Sequence, residues 1–434
     1  MESTDDPGSC WGRPYDVVLF KLCLGIVKKV FGQECCRILE SFSPDILTKE
    51  DLFASSGLEE FEFTKHFNIL CDQQIILQNN QLTISAQPII KFLYYPMIFE
   101  FSEKHYIIPQ DKPMIKMIIN KVFGEPTLTP QKIADSLATE HTDIDRIKVI
   151  KIVEHLIEKR VLQILYDDSV MCVSYNYMHY LSMLRLQCIE ELLENFDHRV
   201  IEVARVLLSD SFCYEHLQKP DEPYPLEEHY IEKLSELCDL TENEVSGVIS
   251  ILSSPEVSLI NQECTEIIIS NSLKVYKTKQ IGRLLSEIGV PLARRVVNFL
   301  IKVQQMETVK LCDLLMLSKE KGTVLLEKLK FLGVVVSETL EDAPHTKLKR
   351  SYTIWRINYD LMVQNSKSYL TGVLAKLYWD LEQEIDENQR ISVSHFSYDM
   401  APNSVSQKKM DERMTIIQNT IFSVSKRFMV LDLV

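Results

Sequence analysis

The feature that most constrains this chain is one order of elements that occurs four times. Each copy has a short helix, a turn, a longer amphipathic helix and two strands that form a hairpin. The clearest copy begins at Val309 and reads "VKLCDLLMLSKEKGTVLLEKLKFLGVVVSETLED", with "SYTIWRIN" as the return strand. Ser318 is the expected N-cap of its longer helix, and a glycine followed by valines ends that helix and starts a strand.

The other three copies lie upstream, at residues 47–85, 128–174 and 228–270. Each has polar residues where a helix is expected to begin: Thr48, Thr129, Thr142, and Thr241 with Glu244 as a capping box. Asn79-Asn80 and Asp167-Asp168 are expected in the hairpin turns of the first two copies. Four agreements in element order favour a repeated unit over chance similarity within a generic α+β chain, which is the alternative.

A further helix is expected before each copy, at residues 16–30, 112–123, 198–208 and 281–304. Three helices followed by a β-ribbon form a winged helix, which is a helix-turn-helix extended by a hairpin. We therefore predict a mainly α chain with small β-ribbons. It begins with a disordered tail (1–13), and four tandem winged-helix domains follow at 14–101, 102–196, 197–273 and 274–363.

The last segment, 364–434, has a different pattern. Its apolar residues recur at steps of four and three: Leu370, Leu374, Leu377 and Leu381, then Met410, Met414, Ile417, Ile421, Val424 and Phe428. This spacing predicts a C-terminal antiparallel helical hairpin, or coiled coil, of 366–387 against 406–430. The alternative is that both helices pack on the fourth winged helix. An exposed stripe of Met410, Ile417 and Ile421 would be a candidate subunit interface.

Composition excludes several classes of protein. A formal net charge of -15 and a pI near 5.3 argue against a free-standing nucleic-acid binder, because phosphate affinity depends on clustered Lys and Arg. The 11 cysteines are scattered and odd in number, which favours a reducing compartment. The N-terminal residues lack signal-peptide features, and the longest apolar stretch contains Lys91 and Pro96, so we expect no membrane partner.

The sequence also lacks the motifs of catalysis. It has no Gly-rich phosphate loop, no G-x-S-x-G and no H-E-x-x-H, and its histidines are isolated from one another and from cysteines. We therefore predict no catalytic residue, no cofactor and no metal site, and we do not expect an enzyme.

One local cluster of basic residues stands out in this acidic chain. It combines four lysines of the longer helix of the fourth copy with three basic residues of its wing loop: Lys319, Lys321, Lys328, Lys330, Lys347, Lys349 and Arg350. Such a cluster is a candidate contact for a phosphate backbone or for an acidic protein face. The alternative is that wing loops are simply exposed, since exposed residues are often lysine.

The chain resembles the winged-helix subunit of nuclear RNA polymerase III that is related to the α-subunit of the general factor TFIIE. Three stretches carry the resemblance: "IIKFLYYPMIFEF" after the first wing, "LEDAPHTKLKRSYTIWRINYDLM" around the fourth wing, and the closing "MDERMTIIQNTIFSV". The similarity covers nearly the whole chain in order. The chain is short for that family, its C-terminal helices are abbreviated, and its acidic N-terminal tail is additional.

This resemblance implies a non-catalytic subunit of a clamp-bound heterotrimer that supports promoter opening and initiation at genes for small untranslated RNAs. The implied partners are the large polymerase III subunits, a second winged-helix subunit and an acidic-tailed subunit. It implies contact with promoter DNA only within the assembled complex, and a nuclear location. A cytosolic scaffold in protein degradation or membrane sorting is the alternative, and a sequence-specific repressor is a weaker one.

Overall fold

The structure is a computed structural model that describes residues 14–42, 48–78, 82–105, 111–124, 128–141, 144–167, 170–209, 214–227, 229–341, 351–396 and 404–434. It is 71% helix with small antiparallel sheets of two or three strands, which confirms the prediction of a mainly α chain with β-ribbons. The chain divides into two compact units, one of Met1–Tyr175 with Ser368–Met429 and one of Asn176–Lys367 with Val430–Val434. The predicted boundaries of the five domains stay predictions.

The first unit begins with the first copy of the repeated order. Its elements are α1 (Pro14–Phe31), α2 (Gln33–Glu40), α3 (Lys49–Ser56), α4 (Glu60–Asp72), β1 (Ile76–Gln78), β2 (Leu82–Ile84) and α5 (Ala86–His105). Thr48 caps α3 as predicted, because its hydroxyl accepts a hydrogen bond from the Asp51 amide. The predicted turn residues Asn79 and Asn80 lie outside the described residues.

The second copy follows the first in the same unit. It comprises α6 (Lys112–Gly124), α7 (Pro130–Glu140), α8 (Arg146–Glu158), β3 (Leu162–Asp167) and β4 (Val170–Tyr175). Thr129 caps α7 as predicted. The prediction that Thr142 caps α8 is wrong, because α8 begins four residues later and the Asp145 carboxylate accepts a hydrogen bond from the Ile147 amide. Thr142 and Asp168 lie outside the described residues.

The second unit contains the third copy. Its elements are α9 (Tyr177–Leu193), α10 (His198–Leu207), a 3-10 helix (Tyr214–Leu217), β5 (Tyr224–Pro225), α11 (Tyr230–Cys238), α12 (Glu242–Leu252), β6 (Glu266–Ile267) and α13 (Ile269–Glu287). Thr241 and Glu244 form the predicted capping box. The predicted hairpin is reduced to a single bridge between Ile260 and Ile267, since turns that include Pro255 interrupt the chain after α12.

The fourth copy follows in the same unit. It comprises α14 (Ala293–Val303), β7 (Gln305–Glu307), α15 (Thr308–Leu315), α16 (Lys319–Phe331), β8 (Val335–Glu341) and β9 (Ser351–Ile357). Ser318 caps α16 as predicted. The prediction of one helix over residues 281–304 is wrong, because Gly289 has a φ of +97° and Pro291 follows it, so α13 and α14 are separate helices.

Three of the four copies have an additional strand or a single bridge residue between their first two helices. In the fourth copy the sheet order is β7-β9-β8, with the last strand in the middle. In the third copy β5 pairs with β6, and in the second the Val173 amide donates to the Leu128 carbonyl at 2.7 Å. The order helix, strand, helix, helix, strand, strand is therefore complete in the fourth copy, and the second and third copies follow it with a single bridge residue, Leu128 or Ile260, in place of one strand. In the first copy, residues 43–47 of the corresponding segment lie outside the described residues.

The longer helices α4, α8 and α16 all end in the same turn. The residue after each helix cap has a positive φ: Gln74 at 56°, Arg160 at 63° and Gly333 at 75°. The amide of the next residue then bonds back to a helix carbonyl, at 2.9 Å in each case: Ile75 to Leu70, Val161 to Leu156 and Val334 to Leu329. This is the Schellman arrangement, in which the residue after the left-handed position is often apolar and packs back on the helix. In these copies the strand begins shortly after that residue.

A related left-handed residue ends three of the short helices. Gly57 follows α3, Asp239 follows α11 and Met316 follows α15, with φ values of 64°, 53° and 56°. A leucine comes next in each copy, and then the N-cap residue of the longer helix. The turn between the two helices therefore has the same three-residue length in these copies.

Two long helices close the chain, α17 (Tyr359–Phe396) and α18 (Ser404–Leu433). The seam residues Leu370, Leu374 and Leu381 are buried, as the four-and-three spacing predicted. In the second unit Lys367 pairs with Asp432 at 2.5 Å, and in the first unit Arg413 of α18 pairs with Glu384 of α17 at 3.7 Å.

In the first unit, α17 packs on α1, which neither alternative for the C-terminal helices anticipated. A Cβ on Gly25 of α1 would lie 3.0 Å from the Cβ of Tyr378, so the two helices approach closely at this point. The Lys29 ammonium lies 5.5 Å from the centroid of the same tyrosine ring, and Lys28 forms an ion pair with Glu382. Burial raises the pKa of Tyr378 to about 12, which keeps its hydroxyl protonated.

The Schellman turns give a matched pair of substitutions. Gly333→Ala should destabilise the end of α16 by about 2–3 kcal/mol, since a non-glycine residue at positive φ costs about 1–2 kcal/mol and the new Cβ would meet Leu361 Cγ at 2.7 Å. Gln74→Gly should stabilise the end of α4 by about 0.5–1 kcal/mol. Native-state hydrogen exchange of the Val334 and Ile75 amides measures both. Equal protection of Val334 in the parent and Gly333→Ala chains would contradict the first expectation.

Candidate functional site

The candidate site is the outer surface of α16, where four of the seven predicted basic residues lie. Lys319, Lys321, Lys328 and Lys330 are all exposed. The other three predicted residues, Lys347, Lys349 and Arg350, lie outside the described residues. The structure therefore describes the helix part of the predicted cluster and leaves its wing-loop part untested.

The opposite face of α16 is buried and fixes the helix on α15. Gly322, Leu326 and Leu329 form this face. A Cβ on Gly322 would overlap Cys312 Sγ, so the glycine allows the two helices to approach. Because this contact holds the inner face against α15, the outer face of α16 is presented away from the core.

A buried tryptophan connects α15 to the sheet. Trp355 of β9 is fully buried, and its indole Nε1 donates to the hydroxyl of Thr308 at 2.8 Å. The same hydroxyl donates to the carbonyl of Thr353 at 3.2 Å. Thr308 is the first residue of α15, so this chain of hydrogen bonds sets the position of α15 against the sheet, and of α16 through α15.

The four lysines of α16 do not form one cluster. At about 100° per residue, Lys321 and Lys328 lie on one side of the outer face, while Lys319 and Lys330 lie on the other. The contacts agree with this division: Lys328 Nζ is 3.5 Å from the carbonyl of Gly289, and Lys330 Nζ donates to Ser337 Oγ of β8 at 2.8 Å. The four lysines that the structure describes therefore form two separate pairs on α16.

None of these four lysines forms an ion pair with a carboxylate in the described ranges, which distinguishes α16 from α8. In α8, Arg146 pairs with Asp135 at 3.0 Å and Lys148 pairs with Asp111 at 2.6 Å. Helices α4 and α12 carry more acidic than basic residues. Among the four equivalent helices, α16 has the largest excess of positive charge.

Between the two lysine pairs lies an apolar ridge that the sequence analysis missed. Val324 is 70% exposed and Phe331 is 89% exposed. The two side chains are seven residues apart, which is almost two turns at about 3.6 residues per turn, so they lie on the same face. The signal was present in the heptad spacing of Val324 and Phe331, but exposure cannot be read from spacing alone.

The predicted subunit interface on α18 is not an exposed stripe. Met410 is 6% exposed and Ile421 is 5% exposed, and Ile417 is half-buried. The chain itself covers Met410 and Ile421. The neighbouring Ile416 is the exposed apolar residue of this part of α18.

A second group of charged residues surrounds the last turn of α18, in the second unit. Arg185 is buried, and its guanidinium donates to the carbonyls of Leu217 at 2.5 Å and Leu433 at 3.5 Å. The Lys277 ammonium donates to the carbonyl of Leu431 at 3.4 Å, and burial lowers the pKa of that lysine. Cations at a helix C-terminus complement unpaired carbonyls and the helix dipole, so this group stabilises the end of α18.

In the described ranges, no helix has the length and apolarity to cross a membrane. The same part of the chain contains no group of three or more His, Cys, Asp or Glu side chains arranged to hold a metal ion.

Comparison with models of known protein families finds no family that matches the chain. Comparison with curated proteins finds no match either.

The close contact of α15 with α16 gives a double-mutant test. Alanine in place of glycine usually stabilises an exposed helix by about 1 kcal/mol, but Gly322→Ala should destabilise this one by about 1–3 kcal/mol, because its Cβ would overlap the Cys312 thiol. In a Cys312→Ala background the same substitution should be neutral or stabilising. Urea unfolding of the four variants measures the interaction energy. If the effects of Gly322→Ala and Cys312→Ala on the free energy of unfolding are additive, the thiol moves aside without cost.

The Thr308 hydroxyl gives an independent test. Thr308→Val keeps the shape of the side chain but leaves the buried Trp355 N–H without an acceptor, so it should cost about 1–3 kcal/mol. Thr308→Ser keeps the hydroxyl and is the control, with a much smaller loss. Thermal unfolding followed by tryptophan fluorescence distinguishes the two variants. Equal losses would indicate that the methyl group, and not the hydrogen bond, stabilises the contact.

Proposed function

We propose that the chain is a non-catalytic subunit of nuclear RNA polymerase III, of the kind related to the α-subunit of TFIIE. It consists of four tandem winged helices and a C-terminal antiparallel hairpin. The observation that carries the proposal is the order helix, strand, helix, helix, strand, strand of the fourth copy, with the last strand in the middle of the sheet. The second and third copies have the same order, with a single bridge residue, Leu128 or Ile260, in place of one strand. This is the topology of a winged helix, and repeated copies agree with the tandem arrangement that the resemblance implies.

The ion pairs of the last two helices support the hairpin. Lys367 near the start of α17 pairs with Asp432 at the end of α18, and Glu384 further along α17 pairs with Arg413 nearer the start of α18. Partners that run in opposite order along two helices are expected for an antiparallel pair. A paired-helix segment after the winged helices is what the polymerase resemblance implies.

The surfaces of the winged helices favour protein docking over independent DNA binding. Helices α4 and α12 are acidic, and the ion pairs of α8 neutralise much of its positive charge. The formal net charge of -15 opposes association with a polyanion. We therefore infer that promoter DNA is contacted only when partner subunits position the chain. The proposed partners are the large polymerase subunits at the clamp, a second winged-helix subunit and an acidic-tailed subunit.

Affinity purification of the tagged chain from nuclear extract at moderate salt tests the proposal. We expect co-purification of the large polymerase subunits with a winged-helix partner. Nuclease treatment should not reduce their recovery, because the contacts are between proteins. An untagged chain carried through the same steps is the control. Recovery of ubiquitin-ligase or membrane-sorting components in place of the polymerase would contradict the proposal and favour a cytosolic scaffold.

A further inference from the structure

The outer face of α16 has a repeating pattern of seven residues. Val324 and Phe331 form the apolar ridge defined above, and both are mostly exposed. Glu320 and Glu327 are seven residues apart, and so are Lys321 and Lys328. All four charged side chains are exposed. Each repeat therefore presents one apolar, one acidic and one basic residue in the same relative positions.

The two charges lie on opposite sides of the ridge. Relative to Val324, Glu320 and Glu327 are offset by about 40–60° to one side, and Lys321 and Lys328 by about 40–60° to the other. An apolar line with one acidic and one basic flank is the pattern by which helices select a partner helix and its orientation. The outer face of α16 thus has the arrangement of a helix-pairing surface.

This arrangement does not suit a DNA groove. Two carboxylates beside the ridge would face the phosphates of any duplex that the outer face entered, and like charges at such a distance repel. On α16, Lys321 and Lys328 lie on the flank of the ridge opposite to the two glutamates. The charge pattern therefore favours a protein segment with carboxylates opposite these lysines and basic residues opposite the glutamates.

The size of the ridge limits the type of contact. One aromatic side chain buries about 150–250 Å² and a valine buries less, whereas a specific free-standing interface buries about 1,200–2,000 Å². Pairing of this ridge with a second copy of the chain would not by itself hold a dimer. The contact must be one part of a larger assembly, in which other surfaces supply most of the affinity.

We infer that the outer face of α16 docks an amphipathic α-helix of another protein chain, with apolar residues along the Val324–Phe331 ridge and carboxylates opposite Lys321 and Lys328. This helix occupies the position that in a DNA-reading winged helix enters the major groove, so the inference assigns that position to protein recognition. It rests on the proposed function in one respect, because it requires the chain to belong to a multi-subunit assembly.

Photo-crosslinking in the assembled complex tests the inference. Phe331 is replaced by the photoreactive analogue p-benzoylphenylalanine, which its exposure permits, and the complex purified from nuclear extract is irradiated and digested. We expect one major crosslink to a protein segment with helical heptad spacing of apolar residues and acidic residues on one flank. A crosslink to DNA, a crosslink to a second copy of this chain, or no crosslink in an intact complex would overturn the inference.

Two charge reversals with the same change in net charge serve as a matched pair. Lys321→Glu with Lys328→Glu should lower the crosslink yield about three- to tenfold, because two attractive contacts become repulsive. Lys319→Glu with Lys330→Glu is the control and should leave the yield nearly unchanged, since these lysines lie beyond the glutamates on the other side. Equal reductions in both variants would indicate long-range attraction without docking on the ridge.

The failure of this inference is distinguishable from the failure of the proposed function. If the polymerase subunits co-purify but the crosslink does not reach a helix, the proposed function stands and the inference is wrong. If the chain co-purifies with a different assembly and the crosslink reaches an acidic amphipathic helix there, the proposed function is wrong and the docking surface stands.

Discussion

Three of the four longer helices end in the same hydrogen-bonded turn, and the strands that follow depend on it. At Gln74, Arg160 and Gly333 the backbone takes a left-handed conformation, and the next amide bonds back to a helix carbonyl. This closure satisfies groups that a helix end leaves unpaired and reverses the chain within two residues. It also buries the next residue, which is Ile75, Val161 or Val334. The helix, the turn and the start of the strand thus form one local motif.

The sheet of the fourth copy then fixes how the helices of that copy pack. Because the last strand lies in the middle, it bonds both to its hairpin partner and to the strand before the second helix. In the fourth copy the Thr308 hydroxyl strengthens this connection by bonding to both Trp355 and Thr353. Helix α16 is consequently held by its inner face while its outer face stays exposed. The exposed ridge of Val324 and Phe331 is therefore a consequence of the packing of the whole copy.

The arrangement of the charged residues of α16 depends on the helix and on the way it packs in the fourth copy. From the sequence, the four lysines of α16 were predicted to be part of one basic cluster. On the helix they form two pairs, with an apolar ridge and two glutamates between the pairs. The corresponding basic residues of α8 form ion pairs, whereas the lysines of α16 form none with any carboxylate in the described part of the chain. The same topology can therefore present surfaces of different charge.

The sequence by itself determined the features that depend on a few neighbouring residues. Thr48, Thr129, Thr241 and Ser318 cap their helices as predicted, since a cap acts within three residues. It did not reveal the bridge at Leu128 or the strands β5 and β7, because segments of one to three residues have no periodicity and form only by pairing with distant residues. Tertiary structure likewise decided the burial of Met410 and Ile421 and the packing of α17 on α1. The sequence of an apolar seam indicates that the seam will be covered, but it does not indicate which surface will cover it.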